Sequence, residues 1–198
     1  MNIIVKPDGS SLCYCRPDAT WERENKDFYS PECVNEVLWA PVAFARVSKA
    51  GKCIGQRFVQ RYYDGVGCGI LMYCVTTHTG PMVKQDVSAC VDHTSILPMP
   101  LYGPEVLEDR KEFIVTKNGN NISVIKDHES SSMTVQSEWR HLLEEAICSA
   151  SELTSLRIGD FVVVELAPLQ NLALREDSKV AIKGTFCEND IFDFNIIF

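Results

Sequence analysis

Few polar side chains in this 198-residue chain sit where they could do chemistry. Asp92-His93 is the best pair, a carboxylate beside an imidazole. It could contact a substrate or a metal ion, although a loop Asp more often bonds its local backbone. Glu165 comes late in an apolar run and could point into a cleft, where Asp92 and Glu36 would join it as metal ligands. Glutamates are far commoner at surfaces, which is the competing reading. His78, in Thr76-Thr77-His78-Thr79-Gly80, could act as a base, yet a lone loop histidine is usually just solvated. His128 and His141 suggest no role, and Arg61-Tyr62-Tyr63-Asp64 reads as scaffold. No Gly-x-Ser-x-Gly and no phosphate-binding glycine loop occurs. Nine cysteines, at 13, 15, 33, 53, 68, 74, 90, 148 and 187, include no Cys-x-x-Cys pair, which argues against a zinc ribbon. Most fall in apolar strands and read as reduced, small hydrophobes of a reducing cytosol. Cys13 and Cys15 would point to opposite faces of a strand, which argues against a redox pair.

The elements that must position these groups are mostly strands. The run 35–47 is apolar at nearly every position, as expected for a strand buried on both faces. Pro41 should mark an edge or a bulge, since it cannot donate to a ladder. The run 66–75 should lie beside it, the two forming the floor of a pocket. Shorter strands are expected at 2–5, 11–15, 27–30, 87–92, 94–97, 112–116, 121–125, 161–166, 179–186 and 191–197. Residues 20–26 read as polar and exposed. Asn118-Gly119 between two β-branched runs signals a hairpin. The span 55–63 reads as a short helix, and 136–150 as the main one. There Trp139, Leu142, Leu143, Ala146 and Ile147 form a stripe, while Arg140, Glu144 and Glu145 face away. Residues 76–86 and 127–134 read as loops. No repeat or linker divides the chain, so one domain over 1–198 is expected.

Composition excludes other classes. The formal charge of −8 gives no bulk attraction to nucleic acid. No apolar run is long enough to span a membrane. The stretch 1–6 is too short and too soon polar for a signal peptide. A cytoplasmic protein without membrane or nucleic-acid partners is therefore expected.

The order of these segments resembles the fumarylacetoacetate hydrolase family, in particular its small bacterial members. Arg16-Pro17-Asp18 is similar to that family's Lys-Pro-Asp, and Asn35-Glu36-Val37 to the lead into its metal-binding strand. The span 56–71 resembles its helix and Gly-Ile-Asp strand. The span 151–164 resembles the run before its Gly-Thr-Pro-x-Gly loop. The resemblance implies a mainly β (α+β) fold, a mixed β-sandwich roll with one main helix. It also implies a pocket in which magnesium, held by a Glu-x-Glu and an Asp, polarises a keto acid. Residues two apart on a strand share a face, which is how both glutamates reach one hard cation.

Here the matching ligand positions are Ala40, Val42 and Leu71. A neighbouring family Lys falls near Ala89, and the loop Thr falls on Leu166, although Asp92 keeps a family carboxylate. The turn 6–10 leaves no room for the family's lid with its His-Glu pair. The resemblance thus implies the fold without the catalysis: a degenerate, pseudoenzyme-like binding or interaction protein with no expected cofactor. It would act as a homodimer or beside an active paralogue. One alternative is a remodelled hydrolase or isomerase of small keto acids, such as acylpyruvates, using Asp92, Glu165, Glu36 and His78 or His93. Only such a remodelled site would take Mg2+ or another divalent metal. A purely structural homodimer is the other alternative.

Overall fold

With apolar side chains at nearly every position, residues 34–47 and 63–76 have no polar face to offer water. Both become fourteen-residue strands that lie side by side in the middle of a sheet. This computed structural model describes residues 1–76, 88–108, 111–126 and 137–198. In chain order the strands are β1 (Ile3–Lys6), β2 (Tyr14–Arg16), β3 (Trp21–Glu22), β4 (Phe28–Tyr29), β5 (Val34–Val47), β6 (Tyr63–Thr76), β7 (Ser95–Ile96), β8 (Glu112–Lys117), β9 (Asn120–Lys126), β10 (Phe161–Glu165), β11 (Gln170–Leu174), β12 (Lys179–Phe186) and β13 (Asn189–Ile197). The helix α1 spans Glu138–Leu153, and the Ser137 side chain caps it by accepting from the Arg140 amide at 3.1 Å.

The larger sheet runs β2-β1-β10-β5-β6-β7-β3, with β11 also paired to β5, and the smaller runs β4-β13-β12-β8-β9. The architecture is mainly β with one principal helix, as the sequence implies. Pro41 departs from expectation: it is neither at an edge nor at a bulge. It sits inside β5, paired with Ile70 on one side. On its other side β10 has ended at Val42 and β11 begins only at Trp39. Its missing N–H falls in that seam, where its carbonyl accepts from the Leu166 amide at 2.9 Å. Gly69 is needed for a close approach, because a Cβ there would stand 2.2 Å from the Ile96 carbonyl oxygen of β7.

Other expectations change as well. The short helix expected over 55–63 is a 3-10 helix, Gln56–Arg61. Strand β11 has no counterpart in the sequence reading. Glu144, assigned to the outer face of the helix, is buried and accepts from the Tyr63 hydroxyl at 3.0 Å. Thr20 and Glu22, read as exposed, are buried. All nine cysteines are free, but only Cys68 and Cys74 are buried, so most are not core residues. The hairpin forms as expected, with positive φ at both Asn118 and Gly119. The loops expected at 76–86 and 127–134, with His78 and His128, fall almost wholly outside the described residues.

Apolar packing divides into two clusters. The larger joins Trp39, Ala43 and Met72 to Trp139, Leu143 and Ile147 of α1 and to Phe113, Ile182 and Phe192 of the smaller sheet. The smaller lies against the other face of β5 and β6 and contains Ile3, Val5, Val42, Phe44, Leu71, Tyr73, Leu97, Phe161 and Val163.

Candidate functional site

The cleft floor follows from strand register. Ala40 pairs with Leu71, Val42 with Gly69, and Glu165 with Val42, so the side chains of Ala40, Val42, Leu71 and Glu165 stand on one face. Ala40, Val42 and Leu71 are each 0 % exposed. Leu38, Tyr73, Leu97 and Val163 belong to the cluster that packs around Val42 and Leu71. The positions that match metal ligands are therefore solid core. Fully burying a side chain such as Val42 or Leu71 contributes roughly 1.5–3 kcal/mol. Apolar carbon has no lone pair to offer a hard dication, so these residues do not fit magnesium or manganese.

The remaining polarity of the cleft is a closed hydrogen-bond chain. Glu165 is 6 % exposed, not a surface glutamate. One carboxylate oxygen accepts a short hydrogen bond from the Tyr73 hydroxyl, and the other accepts from the Asp8 amide at 3.1 Å. The Tyr14 and Tyr73 hydroxyls share a hydrogen bond of 2.6 Å. Burial pushes the Glu165 carboxyl above its ordinary range, against the opposing pull of the Tyr73 and Asp8 hydrogen bonds and the Arg16 charge. Burial also raises the Tyr73 and Tyr14 phenols, so both remain neutral donors. The short turn after β1 thus reaches back through Asp8 to cover Glu165, where the resemblance implies a lid.

Arg16 completes the site and is only 1 % exposed. Its guanidinium donates to the Thr94 carbonyl at 3.1 Å, the Ser95 hydroxyl at 3.0 Å and the Met72 carbonyl at 2.7 Å. It also lies 4.5 Å from the centre of the Tyr73 ring. These bonds tie β2 to β6 and β7 with charge-assisted strength. Sequence reasoning assigned no site role to Tyr14, Tyr73 or Arg16, although Arg16 stands in the Arg16-Pro17-Asp18 segment that carries the resemblance. The available signal was a pair of tyrosines and an arginine within strand runs, where a buried polar tip must find a partner.

The structure scatters the other candidates. Glu36 is half-buried and accepts from the Asn171 side chain at 2.8 Å. It lies six residues from Val42 along β5, so at ~3.3 Å per residue it is about 20 Å from the rung that carries Glu165. Asp92 is exposed on the loop before β7. Asp92, Glu165 and Glu36 do not converge, and no group of three His, Cys, Asp or Glu side chains among the described residues could hold a metal ion. Ala89 is buried in the turn Ser88–Cys90. Leu166 packs with the larger cluster, on the face opposite Glu165. His93 turns away to Glu22, with Nδ1 at 2.9 Å from its carboxylate. No helix among the described residues is long and apolar enough to cross a membrane.

No family model matches the chain, and no curated protein matches it. Solved structures do match in fold. The fumarylpyruvate hydrolase of Pseudomonas aeruginosa, determined in complex with Mn2+ and pyruvate, aligns with a TM-score of 0.78 at 12% identity over 100% of this chain and 90% of that one. A protein from Yersinia pestis assigned to the fumarylacetoacetate hydrolase family aligns with a TM-score of 0.74 at 12% identity over 99% of this chain and 92% of that one. The 5-carboxymethyl-2-hydroxymuconate delta-isomerase of Mycobacterium smegmatis aligns with a TM-score of 0.75 at 10% identity, covering 99% and 76%.

Proposed function

We propose that this chain, which has the fold of fumarylacetoacetate hydrolase-family proteins, is a catalytically degenerate protein of this kind, one that works by binding or interaction and takes no divalent metal in its cleft, since a fold carries no chemistry without its site. One observation carries the reading: Ala40, Val42 and Leu71, which match the expected carboxylates, form a fully buried apolar floor. Partners that suit such a protein are a second copy of the chain or an active paralogue. The test is a thermal melt of chelator-treated protein with added Mg2+, Mn2+ or Ca2+. The expected result is no saturable shift with any ion. A metal at 100 times its dissociation constant would add about 2.7 kcal/mol, or several degrees at roughly 2–4 °C per kcal/mol, and that outcome would overturn the proposal.

The Tyr14–Tyr73–Glu165 chain favours a second reading, a metal-free hydrolase or isomerase of small keto acids. A buried carboxyl with a raised pKa, joined to two neutral phenols, has the makings of a proton relay. On that reading, fumarylpyruvate is consumed by the native protein and not by a Glu165→Gln variant. On the favoured reading, neither consumes it.

A further inference from the structure

We infer that the end of the molecule built from residues 46–64 and 151–159 is a docking surface for an acidic polypeptide segment that also carries apolar side chains. In a chain of formal charge −8, this end presents Lys49, Lys52, Arg57, Arg61 and Arg157 to solvent against one unengaged acid, Glu152. Arg46 and Asp64 neutralise each other through two hydrogen bonds of 3.0 and 2.9 Å. Asp160 is buried and accepts from the Asn2 and Arg157 amides, both at 2.8 Å. None of the five cations has a carboxylate within ion-pair reach among the described residues. The charge of the remaining stretches is fixed by sequence: 77–87 and 109–110 are formally neutral, and 127–136 carries −2, too little to cancel this surface.

The second observation is an aromatic anchor. Phe58 is 47% exposed, and the Arg57 and Arg61 guanidinium groups lie 5.7 and 5.5 Å from the centre of its ring. Lys49 stands 5.1 Å from the Tyr62 ring in the same way. Leu153 and Ile158, also exposed, add apolar surface at this end. The platform is already ordered. Ile54 and Val59 are buried, Gly51 and Leu156 exchange backbone hydrogen bonds of 3.1 and 2.8 Å, and the Ile54 amide donates to the Ser151 hydroxyl at 2.8 Å. An exposed aromatic fixed beside arginines is the side-chain chemistry of an interface anchor, with little ordering left to binding. Carboxylates match the guanidinium forks, and apolar side chains match Phe58, Leu153 and Ile158. A nucleic acid would extend past this end and meet the remainder of the chain, which is more negative than the whole, whereas a short acidic segment would not. The surface serves the binding role proposed above but shares no residue with the cleft, so a cleft that took a metal would leave this inference standing.

The test is isothermal titration calorimetry of the full chain with three probes: a glutamate–tyrosine copolymer, polyglutamate and single-stranded oligo-dT. The expected result is saturable binding of the copolymer that weakens as ionic strength rises, weaker binding of polyglutamate, and none of oligo-dT. The double variant Arg57→Glu/Arg61→Glu and the single variant Phe58→Ser should each weaken the copolymer's Kd by about tenfold or more. Lys179→Glu, an exposed charge reversal on β12, should leave it nearly unchanged. All these side chains are exposed, so the variants should melt like the native protein. No saturable binding of the copolymer, binding of oligo-dT at equal or greater affinity, or copolymer binding unchanged in both Arg57→Glu/Arg61→Glu and Phe58→Ser overturns the inference. Self-association of the native chain that the double variant abolishes would assign the surface to a second copy and overturns it as well.

Discussion

Replacing Leu71 with aspartate restores a carboxylate where the resemblance implies a metal ligand, and it tests whether the cleft is filled. Leu71 is 0 % exposed, faces Ala40 across the strand pair and packs with Val42, Tyr73 and Leu97. Losing the apolar body of a buried leucine costs about 2–5 kcal/mol. The new carboxyl cannot ionise in such a site, and holding an ordinary aspartate of pKa ~3.9 protonated at pH 7 costs about 4 kcal/mol more. The sum, about 6–9 kcal/mol, is comparable to the whole stability of a typical domain at about 5–15 kcal/mol. The folded pKa is raised above the unfolded one, so the penalty grows with pH. At pH 5 it shrinks to about 1.5 kcal/mol, and the variant should regain about 2.5 kcal/mol relative to the native protein. Urea denaturation at pH 5 and pH 7 measures this directly. A Leu71→Asp protein that keeps the native midpoint at pH 7, or that recovers it on adding Mg2+, would refute the filled cleft.

Other expectations follow from the same geometry. The Glu165 carboxyl lies above its ordinary value of 4.5, so its contribution to stability is full below that pH and is lost as pH rises through the folded pKa. Glu165→Gln should flatten that decline, and a native midpoint minus variant midpoint that does not fall above pH 4.5 contradicts it. Tyr63→Phe leaves buried Glu144 without its donor, and urea denaturation should show a loss of about 1–3 kcal/mol. Gly69→Ala drives a methyl against the Ile96 carbonyl oxygen of β7 and should cost about 1–3 kcal/mol in the same measurement, where a stabilised variant would deny the close approach.

Much of the architecture is written in local pattern. Continuous apolar runs rich in β-branched and aromatic residues and bounded by turn residues read as strands buried on both faces, so β5 and β6 are legible before any contact is known. The Asn118-Gly119 turn and the stripe of Trp139, Leu143, Ala146 and Ile147 are legible for similar reasons: left-handed backbone and helical period are properties of short segments. The apolar identity of Ala40, Val42 and Leu71 is also plain in the chain. Long-range partnership is not. Pro41 reads as an edge signal, yet its N–H is dispensable because β10 and β11 abut beside it, a fact of two distant strands. Glu144 reads as an outer-face residue, but the Tyr63 hydroxyl meets it from eighty-one positions away in sequence. Glu165 reads as a surface carboxylate or as a cleft-facing metal ligand, and becomes the buried end of a tyrosine chain only when β1, β2, β6 and β10 come together. Composition and periodicity set which segments bury their backbone. Which polar groups are desolvated together, and so which pKa values move, is decided only when those segments pack.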